Sequence, residues 1–304
     1  MALGSASTAA LDIRAGRNAD EIFKNLTIKI AQYGFNRMTY GATRFYRNAN
    51  IFKIPPPKAR SKIHDKPDAQ KVNVKDQKFP QGDGYDFGNP DDFIVLHNHT
   101  NGYFERYVTN KIFVSSPSFV WALNNIGEHP FLYRDKEALG NSKDAAVLHQ
   151  LNQKNGVLAG YTISFGSADR RIRAILSLCA TPDLSQNKVN EIWKENRDDI
   201  VLLCSVAHDN IMLSPPPLSF PQKLTNKQRV VVLLAGYGKQ SADIATEIGI
   251  SVKTVEKHLR DSRDRLGVKT TAQAVMKATI LIQIYTRQNS GVKNIRSLFL
   301  RFTI

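Results

Sequence analysis

The chain has 304 residues, 42% of them apolar, and a net charge of +15. That length and composition exclude a disordered chain or a small disulfide scaffold and allow two domains with cores of their own. The charge is uneven: from residue 220 to the end, 15 Lys/Arg face 5 Asp/Glu, so +10 of the total gathers in the last 85 residues. A positive field concentrated there fits phosphate binding with steep salt dependence.

No stretch approaches 18 consecutive apolar residues, so no membrane span is expected. The first 18 residues, MALGSASTAALDIRAGRN, lack the apolar run of a signal peptide. Cys179 and Cys204 stand in apolar surroundings, as buried thiols do. The expected setting is a reducing bacterial cytoplasm, nucleoid-associated when bound to DNA, with no membrane partner.

Residues 1–17 are small and mixed and are expected to be loose. Ile22, Phe23, Leu26 and Ile30 mark an amphipathic helix that stops at Gly34. Residues 37–45 have the Thr and aromatic content of a strand. Residues 54–90 open on three prolines and stay polar, with seven Lys/Arg between Pro55 and Lys78, which suggests a long surface loop or lid. Residues 91–109 suggest one or two helices broken near Asn101-Gly102. His97 and His99 are two apart, so on a helix they face different ways, and no Cys or third His stands at zinc spacing. No metal site is expected.

Residues 141–153 read as a helix, and 157–165 and 172–180 as two strands of a hairpin-like pair. Residues 186–213 read as a long helix with Val189, Ile192, Trp193, Ile200 and Leu203 inward. Prolines 215, 216, 217 and 221 cannot continue it and mark a linker over 214–222. The first domain, residues 1–213, is therefore expected to be an α/β (α+β) sandwich with a mainly antiparallel sheet, not a doubly wound fold.

The remainder, 223–285, is expected to be a small all-α domain. Thr225 and Gln228 form a capping box. Val230, Val231, Leu233 and Leu234 give the first helix its apolar face, and it ends near Gly236-Tyr237-Gly238. A second short helix, 241–248, turns at Gly249, and Ser251 caps a third. In that third helix Val255, Leu259 and Leu266 share one stripe. Lys253, Lys257 and Arg260 share another, with Arg263 near it and Thr254 and His258 flanking. A helix pair with an apolar back and a basic front is what a helix-turn-helix needs to enter a major groove. A basic, apolar tail, 286–304, follows; a last strand, a dimer contact and a loose end are equally open for it.

These motifs closely resemble the DNA-binding domain of the LuxR family of bacterial regulators. The matching residues are Leu224-Thr225 with Gln228, Asp243-Ile244-Ala245, Gly249-Ile250-Ser251, Thr254-Val255 with His258, and residues 265–268, RLGV. The family usually has Glu where Gln228 stands, and the link at 236–238 is longer than the family's by one residue. The first half is similar, more sparsely, to the family's autoinducer-binding domain. Tyr103 and Tyr107 match an aromatic pair that is usually Trp then Tyr, Phe131 a second Trp, Gly160 a middle-strand glycine and Ser177 a late-strand hydroxyl. Ser116-Pro117 falls where quorum-sensing receptors have Asp-Pro.

In the family that Asp accepts the amide N–H of an acyl-homoserine lactone; a hydroxyl is neutral and a weaker acceptor. The resemblance implies a ligand site at Tyr103, Tyr107, Ser116, Trp121, Phe131 and Ser177, with no cofactor other than a small-molecule autoinducer. It implies DNA contacts from Lys253, Thr254, Lys257, His258, Arg260 and Arg263. The implied protein is a homodimeric transcriptional regulator of quorum-sensing type, with RNA polymerase as a further partner. The alternatives are a ligand-independent regulator whose first domain only dimerises and a response-regulator output protein. Against the latter, the first half of this chain lacks the alternating strands and helices of a phosphoacceptor domain. No phosphate-binding Gly loop, nucleophile elbow or metal spacing points to an enzyme.

Overall fold

The computed structural model describes residues 3–43, 93–100, 102–109, 112–131, 143–166, 173–215 and 223–283. The 54–90 insert, residues 216–222 of the linker, the 167–172 hairpin turn and the 286–304 tail lie outside the described residues. The chain divides into two compact units between Lys223 and Leu224.

The first unit begins with a helix, α1 (Leu3–Arg14), where a loose segment was expected. Ala6 and Ile13, seven apart, are both buried, and α1 packs on the long helix α6 (Gln186–Leu213). Two turns of small residues hide an apolar stripe this sparse from a reading of composition. Helix α2 (Ala19–Ala31) starts where Asn18 Oδ1 accepts the Glu21 N–H at 2.9 Å, a side-chain cap, and buries Ile22, Phe23, Leu26 and Ile30.

Strand β1 (Phe35–Thr43) pairs on one side with β2 (Phe93–His97) and on the other with β5 (Arg173–Ala180). Between β2 and β5 in the chain come α3 (Tyr103–Thr109), a 3-10 turn (Ile112–Ser115), α4 (Pro117–Asn124), β3 (Gly127–Pro130), α5 (Lys143–Lys154) and β4 (Gly160–Phe165). The five strands lie in the order β2-β1-β5-β4-β3, every pair antiparallel. Strand β2 corrects the helix expected there. Its five residues alternate between half-buried and buried, and Ile94 and Leu96 join the core while His97 turns to the other face. The paired residues of strand β1 lie 50 or more positions earlier in the chain, so local sequence alone does not decide the conformation.

One face of the sheet is closed. Met38 and Tyr40 of β1, Ile163 of β4 and Leu176 and Leu178 of β5 pack against Ile22 and Leu26 of α2 and Val189, Ile200 and Leu203 of α6. The opposite face carries α3, α4 and α5, with Tyr103, Ile112, Phe131, Leu148, Leu151, Val157 and Cys179 in one cluster. Helices thus flank an antiparallel sheet, as the sequence led one to expect. Cys179 and Cys204 are free, and burial pushes the Cys179 thiol up to about 12 and that of Cys204 further.

Among the described residues the second unit has four helices: α7 (Asn226–Gly236), α8 (Ser241–Ile248), α9 (Val252–Leu266) and α10 (Thr271–Ile280). Val231, Leu234, Ile244, Ala245 and Val255 form its core. The sequence reading took in the first three helices and passed over α10, whose start is nonetheless signalled by a Thr270/Gln273 capping box.

Candidate nucleic-acid interface and ligand site

The helix-turn-helix is built from local signals. Thr225 Oγ1 accepts the Gln228 N–H at 3.3 Å while Gln228 Oε1 accepts the Thr225 N–H at 2.9 Å, so both orphan donors are met. Gly249 ends α8 at φ 70°, in the left-handed region where a Cβ is disfavoured. Two residues on, Ser251 Oγ accepts the Thr254 N–H at 3.1 Å and opens α9.

In α9 the inward stripe is Val255, Leu259, Ser262 and Leu266. Ser262, which hydrophobicity alone does not pick out, is fully buried and donates to the His258 carbonyl at 2.6 Å. Lys253, Lys257 and Arg260 are exposed together on the opposite side. The other residues of the expected DNA set differ. Thr254 and His258 are half-buried at the edge of the basic face, and the Thr254 hydroxyl shares a 2.8 Å hydrogen bond with Ser251. Arg263 is half-buried, and its Nη1 donates to Thr271 Oγ1 at 3.2 Å, so it also joins α9 to α10. Exposed Lys269, just beyond α9, adds charge that the residue set chosen from sequence did not include.

In the first unit the expected ligand residues lie on the α3–α4–α5 side of the sheet. Tyr103 is buried, and its hydroxyl donates to Asn152 Oδ1 of α5 at 2.9 Å. Tyr107 stacks on it, ring centroids 5.8 Å apart, and continues to Phe113 at 6.2 Å. Ser116 is fully buried as the N-cap of α4, without a side-chain cap bond to the helix. Trp121 is half-buried against His129, 4.7 Å between rings. Phe131 is buried, and its ring leaves no room for a side chain at Gly160, where a Cβ would meet Phe131 Cε2 at 2.6 Å. Ser177 is half-buried in mid-β5. Tyr103 and Phe131 thus share one cluster with Tyr107 packed against it.

Arg37 of β1 donates to the carbonyls of Asn155, Gly156 (2.8 Å) and Ala180 (3.3 Å), which ties the sheet to the C-terminal end of α5. His99 sits in this layer, 4.6 Å from the Tyr103 ring. Burial first, then Arg37 and His97, hold its imidazole down at about 4, so it is neutral. Burial likewise lowers His97 and His129. The Tyr103–Asn152 pairing joins residues 49 apart, and no periodicity in the sequence announces it. Among the described residues no three His, Cys, Asp or Glu side chains gather where they could hold a metal ion.

Residues 87–211 match the family model "Autoinducer binding domain", and residues 222–278 match "Bacterial regulatory proteins, luxR family". The chain is 22% identical to the transcriptional activator protein CarR of Pectobacterium carotovorum, over 60% of this chain and 77% of that one. It is 25% identical to the HTH-type transcriptional regulator MalT of Yersinia pestis over 50% of this chain, and spans only 18% of that longer protein. Among solved structures, Escherichia coli SdiA aligns with 93% of this chain and 99% of its own, at 14% identity and a TM-score of 0.44. CepR2 of Burkholderia cenocepacia aligns with 69% of this chain and 97% of its own, also at 14% identity and 0.44. With both parts of the chain matched in the order expected, the protein belongs to the LuxR family, as a LuxR-type regulator with an autoinducer-binding domain ahead of its helix-turn-helix.

Proposed function

We propose that this regulator binds double-stranded DNA as a homodimer and changes its hold on DNA when a small signal molecule enters the first domain. The observation that carries the DNA reading is α9, with Val255 and Leu266 fully buried behind and Lys253, Lys257 and Arg260 exposed in front. Such a helix presents cations to phosphates and guanine edges while its back holds it rigid. Helix-turn-helix dimers read half-sites about one turn apart, so a two-fold-related site is the expected target. Thr254 and His258 stand nearest to base edges in this reading, and Arg263 braces the helix as well as adding charge.

The ligand reading is supported by the Tyr103–Tyr107–Phe131 layer over the sheet and by buried polar atoms there that have no protein partner. An acyl-homoserine lactone or a related non-lactone molecule would contact Tyr103, Tyr107, Ser116, Trp121, Phe131 and Ser177. No catalytic role is assigned; regulators of this kind act by binding. A soluble cytoplasmic protein that contacts RNA polymerase from its DNA site completes the proposal.

Replacing Lys253, Lys257 and Arg260 together with Ala tests the DNA half. Duplex affinity is expected to fall at least ~100-fold, since each lost contact is worth about 1 kcal/mol or more, with the circular-dichroism spectrum unchanged. Unaltered affinity overturns the assigned face.

A further inference from the structure

Two kinds of residue share the outer side of α9. Lys253, Lys257 and Arg260 form its cationic row, and beside them Val252 and Glu256, one turn apart, form a row without positive charge. Glu256 is exposed three residues after Lys253 and four before Arg260, so the spacing puts it on the face turned to DNA in the reading above. Val252, the first residue of the helix, is 42% exposed. Neither residue type helps to hold a phosphate. A carboxylate there repels the backbone of every duplex alike, and an apolar side chain offers it no donor.

The fold itself makes little use of either side chain. Glu256 comes after the first turn of α9, where an acid would favour the helix dipole, and the cap is made by Ser251 and the Thr254 N–H. The acids of α8 are employed inside the domain: Asp243 Oδ2 accepts the Gln240 N–H at 3.2 Å, and Glu247 pairs with Lys239. Among the described residues no hydrogen bond or ion pair engages Glu256. The pairing with Arg260 that its spacing permits is among the weakest interactions on a helix surface. Val252 stands outside the Val231, Leu234, Ile244 and Val255 core. Asp264, also exposed, lies about two turns further on, away from the N-terminal end that a recognition helix directs at base edges.

We propose that Glu256 reads a cytosine in each half-site, its carboxylate accepting from the N4 amino group, and that Val252 lies against the C5-methyl group of a neighbouring thymine. The chemistry selects these bases. In the major groove only cytosine N4 and adenine N6 donate from a base edge that a carboxylate can accept from. On adenine that donor stands beside the N7 acceptor, which repels a second carboxylate oxygen; the edge of cytosine presents no acceptor. Thymine alone carries a methyl group. Side chains four apart on a helix stand about 5–6 Å apart at Cβ, a span that reaches neighbouring base pairs stacked ~3.4 Å apart. Lys253 and Arg260, on either side of Glu256, offset its repulsion from the phosphates. The acid therefore weakens binding chiefly to duplexes that lack the cytosine, which is how one charge discriminates between sites.

This inference rests on the DNA-binding reading above, and its test separates the two. The full chain and its Glu256→Ala, Glu256→Gln and Val252→Ala variants each select sites from duplexes with a randomised centre, and the enriched duplexes and their single-base replacements are titrated by fluorescence anisotropy. Circular dichroism of all three variants is expected to match the wild type, since both positions are exposed. Wild-type sites are expected to hold one cytosine whose replacement weakens binding ~10-fold or more. Glu256→Ala should lose that preference and bind unrelated duplexes more tightly than the wild type, because a negative charge has left the face. Glu256→Gln should turn the preference toward adenine, whose N6 and N7 suit an amide. Val252→Ala should relax the thymine preference beside it, and an unchanged preference there overturns the Val252 contact. Base preferences identical in the wild type and both Glu256 variants overturn the inference and leave DNA binding standing, as does duplex binding with no enriched sequence. No duplex binding by the wild type even at low salt overturns both.

Discussion

The two units treat their buried polar groups in opposite ways. In the helix-turn-helix unit, Gln228, Ser262, Lys277 and Gln283 are all buried and all bonded: Lys277 Nζ donates to the Leu266 carbonyl at 2.8 Å, and Gln283 Oε1 accepts the Leu224 N–H at 2.7 Å. The half-buried Arg229 guanidinium likewise reaches Asn226 Oδ1 at 2.7 Å. In the sheet unit His97, Ser118, Asn152 and Thr162 each leave a buried atom unmatched, all on strands and helices of one side. A small domain that must hold one helix rigid has its hydrogen bonds complete. A domain that receives a ligand keeps some in reserve, at a cost in its own stability.

The most drastic way to break this contrast is at Gly160. A Cβ there would lie 2.1 Å from the Leu178 carbonyl, which is backbone and cannot swing aside. Gly160→Ala is expected to cost the first unit about 3 kcal/mol or more. Both tryptophans, Trp121 and Trp193, belong to that unit, so urea unfolding followed by tryptophan fluorescence reads it alone. An unchanged midpoint would mean the strands are not seated as described.

Acid should act next most strongly, and on the same unit. Burial holds His208 at about 4, below its ordinary 6.5, with its Nδ1 2.9 Å from the Tyr40 hydroxyl. A group whose folded value is depressed binds more protons when unfolded, so its contribution is present above pH 6.5 and is lost as pH falls toward 4. The loss is expected to reach about 2–3 kcal/mol at pH 4 from His208, and His99 adds in the same direction. The fluorescence-detected midpoint should drop between pH 7 and 4.5, and His208→Gln should flatten the drop; a flat wild-type profile contradicts the assignment.

The finest comparison is one of sign. Gln228→Leu removes half of a satisfied capping box and should destabilise the second unit by about 1 kcal/mol. Thr162→Val removes an unsatisfied hydroxyl and should leave the ligand-free first unit as stable as before, or up to about 1 kcal/mol more so. Chemical denaturation monitored by circular dichroism for the former and by fluorescence for the latter checks both. Two losses of similar size would erase the contrast.

What was legible in the sequence follows the same division. The caps at Thr225 and Ser251, the turn at Gly249 and the two stripes of α9 are set by residues within a few positions of one another, and each appears where the sequence put it. Helix α6 was legible for the same reason, with Val189, Trp193, Ile200 and Leu203 buried on one side. Strand β2 was mistaken for helix because its partner β1 is far away in the chain, and α1 was overlooked because Ala6 and Ile13 are its only strongly buried apolar residues among those described. Tyr103 and Phe131 could be picked out by resemblance. The polar row of Thr39, His97, His129, Thr162 and Ser177 across the sheet could not, since these residues are brought together only through four long-range strand pairings.

The central claim, that the exposed cations of α9 meet duplex DNA, is tested most directly by the salt dependence of binding. Each phosphate neutralised contributes roughly −0.9 to the slope of log affinity against log salt. If Lys253, Lys257 and Arg260 all contact phosphate, their replacement with Ala should flatten the slope for a DNA site selected from random duplexes by about 2.7. An identical slope for the wild-type and triple-alanine proteins would contradict the account.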